Sequence, residues 1–198
     1  MDKLRLLVML SLVILMLCSC KSRLSKKDYK WMPYTGHEVL IFNSNLGNRD
    51  TISLLSKDTI WSYPEAQSIF GFVGEMVTVF CKHSDSVIQD KSIQYIENNF
   101  CSVKENKNGH SVLEVDLNTK DATFYRLSLI KLDSLDKVKP VVLKTKYAQY
   151  NDVYIMDGED YLGSFRKRYD FVTKIYWSKT KGLVRFDKQD SVYWELVN

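Results

Sequence analysis

Alternating apolar and polar positions recur along most of the chain after residue 37, and this two-residue period predicts β-strands. In the segment Glu75–His83, for example, Val77, Val79 and Cys81 fall on one face of the predicted strand. The full set of predicted strands is Glu38–Asn43, Thr51–Trp61 with a break near Lys57-Asp58, Glu75–His83, Ser111–Leu117, Ala122–Leu132, Val141–Lys146, Val153–Met156, Tyr161–Phe165, Thr173–Trp177, Leu183–Phe186 and Val192–Val197.

Polar turns separate these strands and predict that most of them pair with their neighbours in the sequence. The segment 118–121 joins two predicted strands as a hairpin, and Asp157-Gly158 and Gly182 mark further tight turns. Because the connections are short, an antiparallel meander is the economical arrangement of the predicted strands.

Helical patterns are fewer and shorter. Residues 62–65 have the spacing of a capping box before a short apolar run, 66–70. Residues 90–100 fit either a helix or a strand, and residues 133–136 fit a single helical turn. One or two short helices are therefore expected beside the strands.

The residue composition favours the same fold class. From Cys20 onward, Val, Ile, Thr and the aromatic residues make up 60 of 179 residues, and strands prefer these residue types. Alanine, the strongest helix former, occurs only three times in the same region. We therefore expect an all-β or β-rich α+β fold, an antiparallel meander forming a curved sheet, a sandwich or a barrel.

The first 19 residues follow a different pattern, because 14 of them are apolar. Lys3 and Arg5 precede an apolar run, Leu6–Leu17, which only Ser11 interrupts. A bilayer-spanning helix needs about 20 apolar residues, so this run is too short for a permanent anchor. It is typical of a secretory signal peptide, and residues 1–19 are expected to be removed after export.

The end of this segment, Leu17-Cys18-Ser19-Cys20, resembles the lipobox of bacterial lipoproteins. There an aliphatic residue, a variable residue and a small residue precede a cysteine. The resemblance implies that signal peptidase II cleaves before Cys20, whose sulfur carries diacylglycerol and whose amino group is acylated, for example with palmitate. Cys18 is the competing position, but it follows the large side chain of Leu17. Three acyl chains would hold the protein firmly, since one chain anchors only marginally.

The net charge of +4 comes from the residues that follow Cys20. Residues 21–30 carry five basic side chains and one acidic side chain, residues 1–19 carry +1, and residues 31–198 sum to −1. A polar segment without apolar periodicity predicts a flexible lipidated tether, 20–30, which serves as a spacer or lies along anionic head groups. A single β-rich domain, 31–198, follows, and its near-neutral charge argues against nucleic-acid binding.

Two resemblances bear on location. Some bacteria that display lipoproteins on the cell surface place acidic residues after the lipidated cysteine, whereas this tether is basic, which favours the periplasmic face, most simply of the outer membrane. The stretch Lys174–Phe186, the pair Tyr193-Trp194 and the segment Met32–Gly36 resemble small uncharacterised lipoproteins of Bacteroidetes-type bacteria. That resemblance implies a compact lipidated β-domain of the cell envelope and brings no activity with it.

Patterns that indicate catalysis or metal binding are scarce. His37, His83 and His110 lack metal-ligand spacing, and no nucleophile elbow or phosphate-binding glycine loop occurs. The acidic clusters Asp133–Asp136 and Asp157–Asp160 fit solvated turns better than a glycosidase pair or a calcium loop. We therefore predict a non-enzymatic protein with no cofactor and no metal site.

Cys81 and Cys101 remain after the signal is removed, outside the reducing cytosol. A disulfide between them would close about 20 residues and contribute about 3 kcal/mol to stability. Two buried thiols are the alternative. The nearest histidine, His83, lies on the same predicted strand face as Cys81, which is not sufficient to indicate a catalytic thiol.

Tyrosine and tryptophan are concentrated in the last third of the chain. Strand alternation places Ile175 and Trp177 on one face and Lys174 and Tyr176 on the other. This pattern predicts one core face and one face that carries tyrosine beside charge, so core packing explains the aromatic residues better than a ligand platform does.

Three hypotheses for function follow. The first is a membrane-anchored, non-enzymatic lipoprotein that contacts membrane lipid through its acylated N-terminus and binds an envelope protein or ligand. The second is a carrier of lipid or another apolar ligand, which a continuous apolar cavity would support and a filled core would oppose. The third is a hydrolase of envelope polymers, which requires a cleft with His37 or His110 next to a buried acid.

Overall fold

A computed structural model describes residues 21–62, 73–83, 98–106, 108–119, 121–126, 128–160 and 163–197. All the strands in these ranges belong to one 12-stranded sheet. They are β1 (Lys21–Ser22), β2 (Val39–Ser44), β3 (Arg49–Ser62), β4 (Val73–His83), β5 (Asn98–Glu105), β6 (Ser111–Val115), β7 (Ile130–Lys131), β8 (Val141–Lys144), β9 (Gln149–Asp157), β10 (Val172–Ser178), β11 (Gly182–Lys188) and β12 (Tyr193–Leu196), with helices α1 (Lys26–Tyr29) and α2 (Leu132–Leu135) and a 3₁₀ turn, Phe165–Lys167.

The sheet is an antiparallel meander that begins and ends at its centre. The strand order is β7-β6-β5-β4-β3-β2-β12-β11-β10-β9-β8, and β1 adds to β4 in parallel. The chain runs outward from β2 to one edge at β7, resumes at the opposite edge with β8 and returns to the centre, where β12 pairs with β2. The sheet curls into a half-barrel, which confirms the predicted all-β fold.

Backbone hydrogen bonds connect the segment that follows β6 to the start of β10. Thr123 pairs with Asn118 on one side and forms a parallel bridge to Phe171 on the other. Its N–H donates to the carbonyl oxygen of Asp170 at 2.7 Å, and its carbonyl oxygen accepts from Val172 N–H at 2.9 Å. The predicted strand Ala122–Leu132 is therefore only partly present: Ile130 and Lys131 pair with β6, whereas Thr123 uses its backbone groups to reach β10.

The concave face of the half-barrel is covered by three residues that precede β2. This N-terminal plug consists of Trp31, Met32 and Tyr34, which are all buried. The Trp31 ring centroid lies 4.7 Å from that of Tyr154, and the Tyr34 ring meets Trp177 edge-on at 6.0 Å. Other large buried side chains that fill the core come from both halves of the sheet: Phe42, Ile52, Phe100, Leu113, Ile175, Leu183 and Phe186.

Tyr34 joins the plug to β11 through a hydrogen bond and a close fit. Its Oη accepts the backbone N–H of Leu183 at 2.7 Å in a buried environment. Gly182 has φ of +80°, and a Cβ atom at this position would lie 2.0 Å from Tyr34 Oη. Position 182 therefore needs glycine both for its backbone conformation and for the space that the tyrosine occupies.

Two charged side chains fix the backbone around the plug. Lys57 Nζ donates to the carbonyl oxygens of Met32 and Tyr34, each at 2.9 Å. The Glu38 carboxylate accepts the backbone N–H groups of residues 35–37 at 2.6–3.0 Å. Burial alone would raise the pKa of Glu38, but these hydrogen bonds, led by those from residue 35, lower its pKa to about 2. The carboxylate thus stays ionised except in strong acid.

Residues 21–30 are ordered, so the prediction of a flexible tether is wrong. Lys21 and Ser22 pair with β4, and the side chain of Leu24 is buried. Ser25 and Asp28 form a capping box that starts α1: Asp28 N–H donates to Ser25 Oγ at 3.3 Å, and Ser25 N–H donates to the Asp28 carboxylate at 2.9 Å. One apolar side chain and one cap order this segment despite its polar composition.

Most other strand predictions are confirmed to within four residues at each end. The predicted break near Lys57-Asp58 is wrong, because β3 is continuous there and its register shift lies earlier, between Leu54 and Ser56. The predicted strand Tyr161–Phe165 is wrong in its described part, because residues 163–167 form a bend and a 3₁₀ turn. A single helix, α2, occurs where residues 133–136 predicted a helical turn. Of the predicted capping box at 62–65, the structure describes only residue 62. Residues 90–97 also lie outside the described residues.

Replacing Gly182 with alanine should destabilise the fold strongly, because the new Cβ would overlap Tyr34 and the backbone would be strained. We expect Gly182→Ala to lower the free energy of unfolding by about 2–4 kcal/mol in chemical denaturation. Gly47→Ala is the matched control, since Gly47 also has positive φ but open space around it. It should cost about 1 kcal/mol, and equal losses for the two variants would contradict the role assigned to Tyr34.

Candidate functional site

Five exposed basic side chains follow Cys20 within ten residues. We call them the basic N-terminal strip: Lys21, Arg23, Lys26, Lys27 and Lys30. The strip is fixed to the sheet, since β1 pairs with the start of β4 and α1 is capped. The charges that the sequence assigned to a tether are therefore part of the folded domain.

An aromatic side chain lies beside the start of the strip. Lys21 Nζ and Arg23 Cζ lie 5.5 Å and 5.9 Å from the ring centroid of Trp61, near the end of β3. Two acids anchor this segment: Glu105 accepts the side-chain hydroxyl of Ser22, and Glu75 accepts the backbone N–H of Leu24 at 2.9 Å. The result is a partly exposed indole flanked by two cations.

Asp136 connects the strip to the rest of the domain. Its two carboxylate oxygens each lie 2.8 Å from a lysine nitrogen, one from Lys27 and one from Lys179. Lys179 Nζ also lies 4.3 Å from the ring centroid of Trp31. Burial alone would raise the pKa of Asp136, but the two lysines lower it. The prediction of a solvated acidic turn is therefore wrong for Asp136.

Cys20, the predicted lipid-attachment residue, lies immediately before Lys21 and outside the described residues. Within the part of the chain that the structure describes, no helix has the length and apolar character needed to span a bilayer. Sequence reasoning found the cations of the strip and missed Trp61 and Asp136, because only the fold brings these two residues to it.

A second cluster of charged and aromatic residues surrounds Arg185 on the outer face of the sheet. Arg185 Nε lies 2.7 Å from Asp187 Oδ1, and Arg185 Nη1 lies 3.4 Å from Glu195, which is only 6% exposed. The Arg185 guanidinium lies 4.1 Å from the ring centroid of Tyr193 and 5.1 Å from that of Tyr176. The predicted face with tyrosine beside charge is confirmed, although Glu195 is buried rather than exposed.

The turn between β8 and β9 covers part of this cluster. Lys146 N–H donates to Glu195 Oε2 at 3.1 Å, and Asn43 Nδ2 donates to Tyr147 Oη at 2.9 Å. Because β12 and β2 lie three and four strands away from β9, the turn lies over the face of the sheet.

The cluster has a structural role, because its polar groups are bonded to one another. Tyr176 Oη donates to Asp187 Oδ2 at 2.7 Å. Burial, followed by this bond to a carboxylate, raises the pKa of Tyr176 to about 12. A tyrosine with this pKa remains protonated near neutral pH and does not act as a general base there.

The second acidic cluster is also more buried than predicted. Glu159 forms an ion pair with Arg126 at 2.9 Å and accepts hydrogen bonds from Ser128. Asp160 accepts the backbone N–H of Arg166 at 2.8 Å. These acids hold loops together, so the prediction that Asp157–Asp160 is a solvated turn is wrong for Glu159.

The hydrolase hypothesis requires a buried acid next to His37 or His110. His110 Nδ1 lies 3.8 Å from Asp133, but both side chains are largely exposed. His37 is exposed, and the neighbouring Glu38 binds backbone N–H groups instead of the imidazole. Among the acids that the structure describes, neither histidine has the buried partner that the hypothesis requires. Among the described residues, no group of three or more His, Cys, Asp or Glu side chains could hold a metal ion.

The apolar-carrier hypothesis requires a continuous apolar cavity. Instead, the N-terminal plug, Phe42 and Trp177 fill the described concave face. A groove of about 480 Å³ lies outside this core, where β9 ends and β10 begins, and its lining includes Phe171, Arg166 and Lys174. A filled core was the observation expected to oppose the apolar-carrier hypothesis, and the described core is filled.

Cys81 and Cys101 are buried thiols on adjacent strands. Cys101 pairs directly with Val79, two residues before Cys81 on the same face of β4. Burial raises the pKa of Cys81 to about 12 and the pKa of Cys101 well above its ordinary value. Both thiols are therefore poor nucleophiles in the folded protein.

These thiols should resist alkylation until the protein unfolds. The protein is treated with iodoacetamide at pH 8 under reducing conditions, and the signal region is removed by proteolysis afterwards. We expect no label at Cys81 or Cys101 when the native protein is treated, and full labelling at both when it is treated in denaturant. Peptide mass spectrometry reads each site separately. Thr78→Cys puts a thiol at another buried position of β4, and this thiol should also stay unlabelled in the native state. Lys144→Cys puts a thiol at an exposed position, where it should react at once. Rapid native labelling of Cys81 or Cys101 would contradict the assigned burial.

Comparisons with known proteins were made at three levels. The chain matches no family model, no curated protein and no solved structure. These comparisons supply no positive evidence for catalysis. The function is therefore inferred from the chemistry of this chain's own residues, above all from the basic N-terminal strip and the position of Cys20 beside it.

Proposed function

We propose that this protein is a non-enzymatic, lipid-anchored protein of the bacterial cell envelope whose folded domain lies directly on the membrane surface. The observation that carries the proposal is that the sheet begins at Lys21, one residue after the lipobox cysteine Cys20. No flexible spacer separates the acyl chains from the domain.

The short connection limits how the domain can be oriented. Consecutive Cα atoms are about 3.8 Å apart, so acyl chains on Cys20 would bring β1 to the level of the lipid head groups. The basic N-terminal strip follows at once and would face the same surface. The anchor and the strip therefore act together.

Electrostatic attraction supports this orientation. Each lysine or arginine near an anionic membrane contributes about 1 kcal/mol to binding. All five cations of the strip are exposed, and among the described residues only Lys27 is paired with an acid outside the segment, Asp136. Trp61 adds an amphipathic ring of the kind that favours a membrane interface. A basic strip after the anchor also fits the proposed periplasmic face of the outer membrane.

Lipidation should depend on Cys20 and not on Cys18. When the full chain is expressed in a bacterial host with labelled palmitate, the wild type and Cys18→Ser should carry the label and a triacylated mature N-terminus. Cys20→Ser should lack both and keep its signal segment, since the residue that is modified before cleavage is absent. Intact mass spectrometry distinguishes these species, and a lipidated Cys20→Ser protein would refute the anchor.

Trp61 should contact lipid when the mature lipidated protein is reconstituted into vesicles that contain anionic and brominated lipids. The other three tryptophans are buried, so bromine quenching reports mainly on Trp61. We expect clear quenching in the wild type and its loss in Trp61→Phe. The double variant Lys26→Glu/Lys30→Glu should reduce quenching in anionic vesicles.

The control for charge is Arg49→Glu/Lys174→Glu, which makes the same change at exposed positions elsewhere. Arg49 starts β3, whereas Trp61 lies near the end of that strand, about 40 Å away. The control should quench like the wild type. Equal quenching by both double variants would show that the basic strip does not face the membrane.

A further inference from the structure

β8 forms the more open edge of the sheet. Among the described strands it pairs only with β9, so one side of its backbone has no strand beside it. The opposite edge strand, β7, has two residues and leads directly into α2. An unpaired strand edge presents N–H and C=O groups that can bind another extended chain.

Apolar side chains are exposed along this edge. Val141 and Val142 in β8 are 42% and 64% exposed, and Val138 just before them is 57% exposed. Three exposed valines within five residues thus lie on or next to an open strand, with unpaired main-chain groups beside them.

The same segment carries strong positive charge. Residues 137–146 contain Lys137, Lys139, Lys144 and Lys146 and no acidic residue, and all four lysines are exposed. No carboxylate within the described ranges lies in ion-pairing distance of any of them. By contrast, the nearby residues Lys27 and Lys179 both pair with Asp136. The described carboxylates therefore leave the positive charge of residues 137–146 unneutralised.

The backbone of β8 shows which amide faces outward. Thr145 N–H donates to the carbonyl oxygen of Ala148 at 2.9 Å and so points toward β9. Because N–H directions alternate along a strand, the N–H of Lys144 points away from β9 toward the open side. It is available to a chain that adds to the edge.

We propose that β8 is a docking site for an extended, acidic and apolar segment of another protein, which adds to the sheet as a further strand. The main chain of β8 would supply hydrogen bonds, the valines would contact alternate side chains, and the lysines would select acidic residues. A second copy of this chain is disfavoured as the occupant, because it would bring four lysines against four lysines. Lysines at a sheet edge oppose self-association in this way while leaving the edge open to a partner of opposite charge.

This inference does not depend on the lipid anchor, since none of its residues belongs to the basic N-terminal strip. Anionic lipid would match the lysines and valines but not the regularly spaced main-chain groups of β8. The peptide is therefore favoured over the membrane, and the experiment separates the two.

The test uses the mature lipidated protein in detergent micelles and a fluorescent eight-residue peptide of alternating glutamate and valine. We expect saturable binding in fluorescence anisotropy, weaker binding as salt increases, and no binding of the lysine-valine counterpart. Hydrogen exchange at the Lys144 amide should slow when the acidic peptide is added.

Matched variants locate the site. Val142→Glu should weaken binding by about tenfold through charge repulsion and lost apolar contact. Val39→Glu should leave binding unchanged, because Val39 is comparably exposed at 48% but lies on β2, which is paired on both sides. Lys144→Pro should bind about fivefold more weakly than Lys144→Ala, since both remove the charge but only proline removes the outward N–H. Thermal melting confirms that each variant is folded.

Three results would overturn the proposal. The first is equal binding of the acidic and basic peptides or an equal effect of Val142→Glu and Val39→Glu. The second is slower hydrogen exchange at the Lys144 amide on phosphatidylglycerol vesicles, lost in Val142→Glu and without any peptide binding, which would assign the segment to the membrane. The third is a dimer that Val142→Glu disperses, which would assign the edge to a second copy.

Discussion

The half-barrel depends on the N-terminal plug that covers its concave face. A single curled sheet has one apolar face and no second layer to bury it. Trp31, Met32 and Tyr34 supply that cover, and the two aromatic residues make contacts that reach across the fold: Trp31 to Tyr154, and Tyr34 to the N–H of Leu183. Lys57 Nζ donates hydrogen bonds to the carbonyl oxygens of Met32 and Tyr34. The plug therefore joins the two halves of the meander into one core.

The arrangement of charge distinguishes structural from functional surfaces. Around Arg185, and between Lys27, Asp136 and Lys179, opposite charges lie within 2.7–3.4 Å of each other and are used up inside the fold. The basic N-terminal strip and segment 137–146 have a surplus of lysines instead. Charges without an acidic partner among the described residues are the ones available to attract an external one, which is why both proposals rest on these two regions.

The sequence predicted the elements whose pattern is local and missed those that depend on distant contacts. Two-residue alternation identified most strands and the buried face that holds Ile175 and Trp177. The order of residues 21–30 could not be predicted, because it depends on pairing with β4 and on burial of Leu24. Likewise, Glu195 has the local pattern of an exposed residue and is buried only because the β8–β9 turn lies over it. The cations of the candidate site were evident, whereas their arrangement around Trp61 was not.

Tyr34 and Leu183 are 149 residues apart in the chain, yet their hydrogen bond closes the core. In the export that we propose, the chain would cross the membrane N-terminus first and deliver the plug first and β11 among the last segments. The plug must then wait, with two large aromatic side chains exposed, until almost the whole chain has crossed the membrane. Contacts so distant in sequence make folding slow. Under the proposed export, final closure of this domain would follow translocation, at the membrane surface where the chain emerges.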